Sequence, residues 1–464
     1  MCLWFGLLYQ FVLITLCTGV SIFFVILSQP CSFDLRTADK LFSNLRAQFT
    51  GDKTKSAALS HNFSEFTWGH WAVSPLASSL SKHFDEQPYD WVVFLDPNSV
   101  VDVKRLESFL KKHDAKVDHF FGYKLLDEQP TIIHHFRGFD SISKLPYPSF
   151  SAGFAFSCAL FKKLANLPEE KKSAHVFAID AKHELAALIK DSLDFELENA
   201  AEIFCLFPQA NCAVTYLFPQ YSVIEGCDGE NIDRDEVYTA VKTYSEFHRS
   251  RVVVVKRTWA NQLKYVDYFS DIEDQFIPTK TFGITNTERG HCAKTLAILK
   301  YYVNNLKNFP KNKWLIIADD DTLLSVSRLF RLLRCYSASE AIILGERYGF
   351  GFSADGTDGY DYPTGGAGMI FSKTAAKSIA DSCVCPRADS PDDMILGSCA
   401  RSLGIPIIHS PAFHQARSID YAKAYITQIP PISFHKFEDI DPYEEYMGLL
   451  HEEIPTDPRH HTEL

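Results

Sequence analysis

Long basic runs are missing from this chain of 464 residues, whose formal net charge is −12. Nucleic-acid recognition calls for a basic patch or stripe, so the composition excludes that class of partner. Walker spacing with its adjoining Lys and Ser or Thr is also missing, which excludes a P-loop. Cys383 and Cys385 enclose only Val384, not a two-residue gap, and no Cys/His quartet surrounds them. A zinc knuckle is therefore excluded. Charge of either sign is missing ahead of Asp34. Residues 2–27 are almost wholly apolar, with Gln10 the main interruption. This length spans a bilayer, exceeds the apolar core of an ordinary cleaved signal and comes without a basic n-region. Residues 1–30 are expected to be a signal anchor or a long signal peptide. Either one sends the remainder into the secretory lumen, and an anchor makes the chain a single-pass type II membrane protein.

The rest of the composition agrees with that destination. An apolar fraction of 46% and a charged fraction of 22% are those of a globular protein with a sizeable core. The length allows roughly two to four domains. Twelve cysteines fit an oxidising compartment; disulfides are expected, with their pairing open, and Cys2 and Cys17 in the apolar segment are expected to be unpaired. Asn62-Phe63-Ser64 is an N-glycosylation sequon. The sequence closes on His461-Thr462-Glu463-Leu464, which departs from the His-Asp-Glu-Leu retrieval signal only at Thr462. It predicts residence in the lumen of the endoplasmic reticulum through a retrieval receptor.

What is present concentrates at residues 314–322, Trp-Leu-Ile-Ile-Ala-Asp-Asp-Asp-Thr. The apolar run reads as a strand buried on both faces. Asp319, Asp320 and Asp321 then put hard oxygen ligands at the carboxyl edge of a sheet, where open α/β folds bind ligands. Mg²⁺ and Mn²⁺ take such ligands and bridge them to substrate phosphates. A helix cap accounts for one acid, not three.

The same pattern occurs twice. Trp91 to Leu106 aligns without gaps on Trp314 to Leu329, and Ala152-Gly-Phe-Ala-Phe-Ser157 aligns on Ala367-Gly-Met-Ile-Phe-Ser372. A period this long indicates a duplicated domain rather than a solenoid. In the first copy the triplet has become Asp96-Pro97-Asn98, so two carboxylates are gone and Pro97 restricts the backbone. That copy is expected to have lost its metal and to serve acceptor recognition or support. The boundary is placed in the polar stretch between Cys227 and Arg251, dividing the chain into residues 31–240 and 241–464.

The second half reads as a strand at residues 252–255, a helix at 292–306, a strand at 315–318, a helix at 325–335 and a strand at 341–344. This alternation implies a parallel α/β sheet. Gly365, Gly366 and Gly368 permit tight turns and close backbone approach to a ligand. Asp392 and Asp393 follow Pro391 at the start of a helical pattern; this is good capping chemistry, and one of the two is also placed to act as a general base. His414 follows a strand at 405–409, and a cation such as Mn²⁺ accepts imidazole beside carboxylate.

Taken in order, eight segments carry a resemblance. They are residues 318–322 (Ala-Asp-Asp-Asp-Thr), 344–349 (Leu-Gly-Glu-Arg-Tyr-Gly), 365–368 (Gly-Gly-Ala-Gly), 391–394 (Pro-Asp-Asp-Met), 403–406 (Leu-Gly-Ile-Pro), 409–411 (His-Ser-Pro), 413–417 (Phe-His-Gln-Ala-Arg) and 432–436 (Ile-Ser-Phe-His-Lys). The chain resembles the fringe-like members of glycosyltransferase family 31. Among them it is most similar to the two-domain β-1,3-glucosyltransferases that extend O-linked fucose on thrombospondin type 1 repeats.

The resemblance implies two tandem GT-A (Rossmann-like) domains of α/β class, the first degenerate, with Mn²⁺ and UDP-glucose as donor. It implies O-fucosylated thrombospondin repeat proteins as acceptors. Asp321 and His414 are the implied metal ligands. Asp319 is implied beside the donor's nucleotide and ribose, and Asp320, Gly365 and Gly366 complete the expected donor-binding set. Asp393 is the expected catalytic base, paired with Asp392. The sequence departs from the resemblance in its tail and in a longer loop at 352–358. The readings that compete are a fringe-like transferase of another UDP-sugar and a non-catalytic lumenal lectin or folding factor.

Overall fold

A computed structural model describes residues 20–63, 69–127, 145–173, 177–217, 227, 231–353 and 358–452. The retrieval-like tail, most of the apolar N-terminal run and Ser64 of the sequon lie outside the described residues.

The fold is α/β, organised on two sheets. The first has the strand order Glu198–Asn199, Phe120–Gly122, Phe154–Ser157, Trp91–Leu95, Ile22–Ile26, Lys55–Leu59. The second runs, in the opposite listing direction, Thr279–Thr281, Tyr265–Ser270, Val237–Lys242, Trp314–Asp319, Met369–Ser372, Ile343–Gly345, Ile407–His409. Apart from the extra edge strand Thr279–Thr281 the two orders are the same. In each sheet one strand is antiparallel to its neighbours, Phe154–Ser157 in the first and Met369–Ser372 in the second. The expectation of a wholly parallel sheet is corrected at that strand.

Register makes the correspondence residue by residue. Trp91 pairs with Ile22 and Trp314 with Val237, so Leu27 occupies the place of Lys242. A short strand follows each central one. Ser99–Val101 pairs with Val214–Tyr216, and Thr322–Leu324 pairs with Ser433–His435, with Tyr216 opposite Ser99 and His435 opposite Thr322.

The central strands are apolar throughout because helices cover both faces. Trp314 through Ala318 are buried, and alternate residues join different clusters, Ile316 and Ala318 on one face and Leu315 and Ile317 on the other. The paired Ser157 and Ser372 both end a strand and open a helix. Ser157 accepts from Leu160 N–H and Ser372 from Ala375 N–H. Ser is a preferred N-cap, worth typically about 1 kcal/mol over Ala, so this part of the repeat is structural.

Two further expectations give way. Residues 252–255 form no strand; they lie in the helix Arg251–Arg257, which buries Val252, Val254 and Val255. A short apolar run cannot be assigned by periodicity alone. The strand in question is Val237–Lys242, which crosses the 240/241 division and moves any boundary upstream of Val237. The expected signal or anchor at residues 1–30 also loses its end, because Ile22–Ile26 is a fully buried inner strand of the first sheet. A parallel strand covered on both faces is as apolar as a membrane segment. Among the described residues no helix is long and apolar enough to cross a membrane.

The halves are joined covalently and by a sheet. Cys227 is bonded to Cys335, and Phe177–Ala178 pairs antiparallel with Arg347–Phe350. Gln29 clamps His409: His409 N–H donates to Gln29 Oε1 at 2.8 Å and Gln29 Nε2 donates to the His409 carbonyl at 3.1 Å. Three more disulfides link Cys205 to Cys212, Cys292 to Cys385 and Cys383 to Cys399. The last two tie the helices Cys292–Asn304 and Asp392–Ser402 through one short segment. Cys31 and Cys158 are free and buried.

Candidate active site

The strand Trp314–Asp319 delivers its acids to the carboxyl edge of the second sheet. There they border a cleft of about 420 Å³ whose other walls include Lys242, Thr243, Arg251, Lys294 and His435. Asp319, Asp321 and His435 offer ligand atoms that all lie within 4.8 Å of one another. The His435 Nε2 is 3.1 Å from Asp321 Oδ1 and 3.9 Å from Asp319 Oδ2.

These residues fit a divalent cation. His435 Nδ1 lies 2.9 Å from the Gln415 carbonyl, which fixes a proton on that nitrogen and turns the other towards the acids. A neutral imidazole would then face a carboxylate with its lone pair, so a cation or a proton must lie between them. Borderline ions such as Mn²⁺ accept imidazole with carboxylate. Burial lowers the His435 pKa, but Asp321 and Asp319 outweigh it and raise it overall. Asp321 is held low by His435 and Arg251 against the effect of its burial.

Gly366 makes this arrangement possible. A Cβ there would stand 2.3 Å from His435 Nδ1. The Thr322 hydroxyl locks the two turns together, accepting from Asp319 N–H at 3.1 Å and donating to the Gly366 carbonyl at 2.8 Å. A Cβ at Gly365 would come no closer than 3.9 Å to Asp319 Oδ2 or Lys242 Nζ, so Gly365 borders the site without filling it.

His414 does not join this group, and its expected role as a metal ligand is corrected. It is 1% exposed, its Nδ1 donates to the Ser433 carbonyl at 3.0 Å, and its ring stacks on Phe434. Burial drives its pKa down to about 3. Phe434 and His435 are neighbours on one strand and point to opposite faces. Phe434 faces the core with His414, and His435 faces the acids. The sequence contained His435 within residues 432–436, but only the strand pairing tells which histidine is turned to the cleft.

The positive charges were not found from the sequence. Lys242, 5% exposed, bridges Asp319 Oδ1 at 3.0 Å and Asp392 Oδ2 at 2.8 Å. Burial disfavours its charge, yet Asp319 and Asp392 overcome this and raise its pKa. Arg251 lies 2.7 Å from Asp321 Oδ2 and 3.4 Å from Asp320 Oδ1, with its guanidinium over the Phe247 ring. Lys294 donates to the Thr243 carbonyl at 2.8 Å. A Lys closing a buried strand was the available signal for Lys242; the run of valines at 252–255 masked it.

Asp320 points away from the cation group. Thr243 Oγ1 donates to it at 2.6 Å, and burial pushes its pKa up to about 7. The acid pair on the helix Asp392–Ser402 is split. Burial opposes ionisation of Asp392, but Lys242 and a 2.6 Å bond from Thr295 hold it down at about 2. Asp393 lacks such a partner, and burial followed by the charge of Asp392 pushes it up to about 7. One carboxyl is thus a fixed anion and the other is poised to exchange a proton near neutrality, the separation that acid–base chemistry uses.

Residues 232–462 match the family model described as Fringe-like. An α/β fold with acids, an imidazole and cations gathered at a sheet edge is an enzyme-like site, and the chain belongs to the fringe-like glycosyltransferases of family 31. Its similarity to two β-1,3-glucosyltransferases extends over nearly the whole chain: 40% identity to that of Mus musculus over 92% of this chain and 86% of the relative, and 39% to that of Homo sapiens over 92% and 84%. The manic fringe β-1,3-N-acetylglucosaminyltransferase of Danio rerio is 30% identical over 39% of this chain and 56% of its own length. Among solved structures, the apo form of the bifunctional glycosyltransferase WbbM aligns over 93% of this chain at 10% identity and a TM-score of 0.29.

Proposed function

We propose that this chain is an inverting β-1,3-glucosyltransferase with two tandem GT-A domains, the first degenerate. It moves glucose from UDP-glucose to the 3-hydroxyl of O-linked fucose on thrombospondin type 1 repeats. The observation that carries the reading is the pairing of a likeness to β-1,3-glucosyltransferases along nearly the whole chain with a charged cleft that, among the described residues, gathers two acids and a histidine in the second half alone. The first half has Asn98 and Tyr216 in the places of Asp321 and His435.

The donor diphosphate enters a cleft where Arg251, Lys294 and Lys242 supply positive charge. Asp319, Asp321 and His435 would hold a divalent cation, which when bound supplies neutralisation of the charge gathering on the departing diphosphate. Asp393 accepts the proton of the fucose hydroxyl as that oxygen bonds to the anomeric carbon and the bond to UDP breaks. The hydroxyl is a poor nucleophile at neutral pH, and a base with a pKa near the working pH is the efficient one. Asp392, fixed by Lys242 and Thr295, anchors the turn that presents Asp393. The attack is a single displacement, so the anomeric centre inverts and no covalent enzyme intermediate forms.

The cellular setting belongs to the same proposal. The cysteine content and the His-Thr-Glu-Leu ending support residence in the lumen of the endoplasmic reticulum, with a retrieval receptor as partner. The experiment is transfer by the purified chain to a folded, O-fucosylated thrombospondin repeat, with Mn²⁺ and a panel of UDP-sugars. Transfer from UDP-glucose alone supports the reading. Transfer from a different UDP-sugar replaces the donor, and none from any donor leaves a lectin-like protein.

A further inference from the structure

A second cavity, of about 150 Å³, lies at the carboxyl ends of the strands Ile22–Ile26 and Trp91–Leu95. Space of this kind holds on the order of ten waters. Strand register shows what it is. Leu27 lines it in the place of Lys242, Asp96 in the place of Asp319, Asn98 in that of Asp321 and Tyr216 in that of His435. It is the counterpart of the catalytic cleft in the first half, and Arg347, Tyr336 and Ser410 of the second half close over it.

Three of these four positions lose the group that would recognise a metal-bound diphosphate, and Asp96 keeps its acid. The lysine has become an apolar side chain, one acid an amide and the imidazole a phenol. Among the described residues the only cluster able to hold a metal is that of Asp319, Asp321 and His435. What remains is polar of both signs. Asp34 is buried and Asp96 half-buried, and loss of solvent pushes each carboxyl up to about 6. Opposite them is Arg347, 6% exposed, whose terminal nitrogen donates to Gln29 Oε1 at 3.1 Å. Its guanidinium lies 4.4 Å from the centre of the Trp71 ring. The Arg347 Nε–H is buried, with no hydrogen-bond partner among the described residues, and the side chain borders the chamber beside the acids.

We propose that this cavity is a binding site for a neutral, hydroxyl-rich ligand of monosaccharide size. A hydroxyl both donates and accepts, so one ligand can serve the carboxyls of Asp34 and Asp96 and the guanidinium side of Arg347 together. A phosphate would meet Asp34, Asp96, Asp180 and Glu346, and an organic cation would meet Arg347 and Lys182. Trp71 and Tyr216 border the chamber and offer aromatic surface to the C–H groups of a sugar ring. The site does not depend on the donor or acceptor of the transfer reaction.

The test uses the full chain with D-glucose and L-fucose as probes, read by saturation-transfer NMR. UDP and Mn²⁺ at saturation block the catalytic cleft, and the measurement is repeated in Asp321→Ala. One or both sugars are expected to bind in both preparations. Asn98→Leu, which removes an amide from the wall, and Ser151→Phe, which fills the chamber, should each weaken binding at least tenfold, with thermal melts confirming that both fold. Absence of binding to the folded chain, binding that survives both variants, or displacement of the sugar by inorganic phosphate overturns the proposal.

Discussion

The ends of the two sheets differ by a handful of residues, and the difference separates scaffold from chemistry. Both copies keep the strand order, the antiparallel fourth strand, the short strand after the centre and the serine cap. Only the second keeps a lysine at the end of its first strand, three acids after the central one and a histidine on the short strand. Backbone topology is held by many buried contacts and tolerates substitution at its edge, whereas a metal site fails when one ligand is replaced. In the first copy the same frame carries Leu27, Asp96, Asn98 and Tyr216 at the corresponding edge.

The largest expected effect tests that contrast directly. Asp321→Ala should bring transfer to background and remove Mn²⁺ binding. Calorimetry on the wild type should find one Mn²⁺ site per chain; a second site surviving Asp321→Ala would place a working metal centre in the first half and break the comparison. His435→Ala should act in the same direction, lowering metal affinity at least ten- to a hundredfold. His414→Ala should leave metal affinity alone and cost roughly 1–3 kcal/mol of stability through its lost stacking and its bond to Ser433. The reverse pattern would restore His414 as the ligand.

Next comes the base. Asp393→Asn should retain UDP binding and lose roughly 10²- to 10⁴-fold in kcat; near-normal turnover would remove Asp393 from the role. Its pKa of about 7 fixes the sign of the pH dependence. Below about 7 the carboxyl is protonated and cannot accept a proton, so kcat should fall with decreasing pH and level off above. The charge of Asp392 helps raise that pKa, so Asp392→Asn should move the acidic limb to lower pH. A limb that stays in place in Asp392→Asn would assign it to a different group.

Much of this contrast was legible in the sequence, because buried central strands are continuous apolar runs and an acid triplet at the end of one is unusual chemistry. Trp314–Asp319 and its repeat at Trp91–Leu95 are such runs. Residues whose role depends on pairing were not legible in the sequence. His414 follows a strand and His435 lies on one, and only the antiparallel register with Thr322 turns His435 to the acids. Val252 to Val255 read as a strand because β-branched residues favour strands, yet packing makes them a helix that carries Arg251 to Asp321. Ile22–Ile26 was read with the membrane-like run because interior strands and bilayer spans share one composition.

The smallest effect sharpens the comparison from the side of the scaffold. Ser157→Ala and Ser372→Ala each remove a side-chain acceptor from the first turn of an equivalent helix. Ser372 Oγ also accepts from Ile342 N–H at 3.2 Å, and Ser157 Oγ from His119 N–H at 3.0 Å, so the two serines carry the same pair of bonds in the two copies. Each substitution should cost about 1 kcal/mol from the cap, and somewhat more because a second buried donor loses its acceptor. Equal losses in chemical denaturation would mean that both copies still hold their frames by the same local bonds. A loss confined to Ser372→Ala would mean that the first copy has begun to relax its scaffold as well as its chemistry.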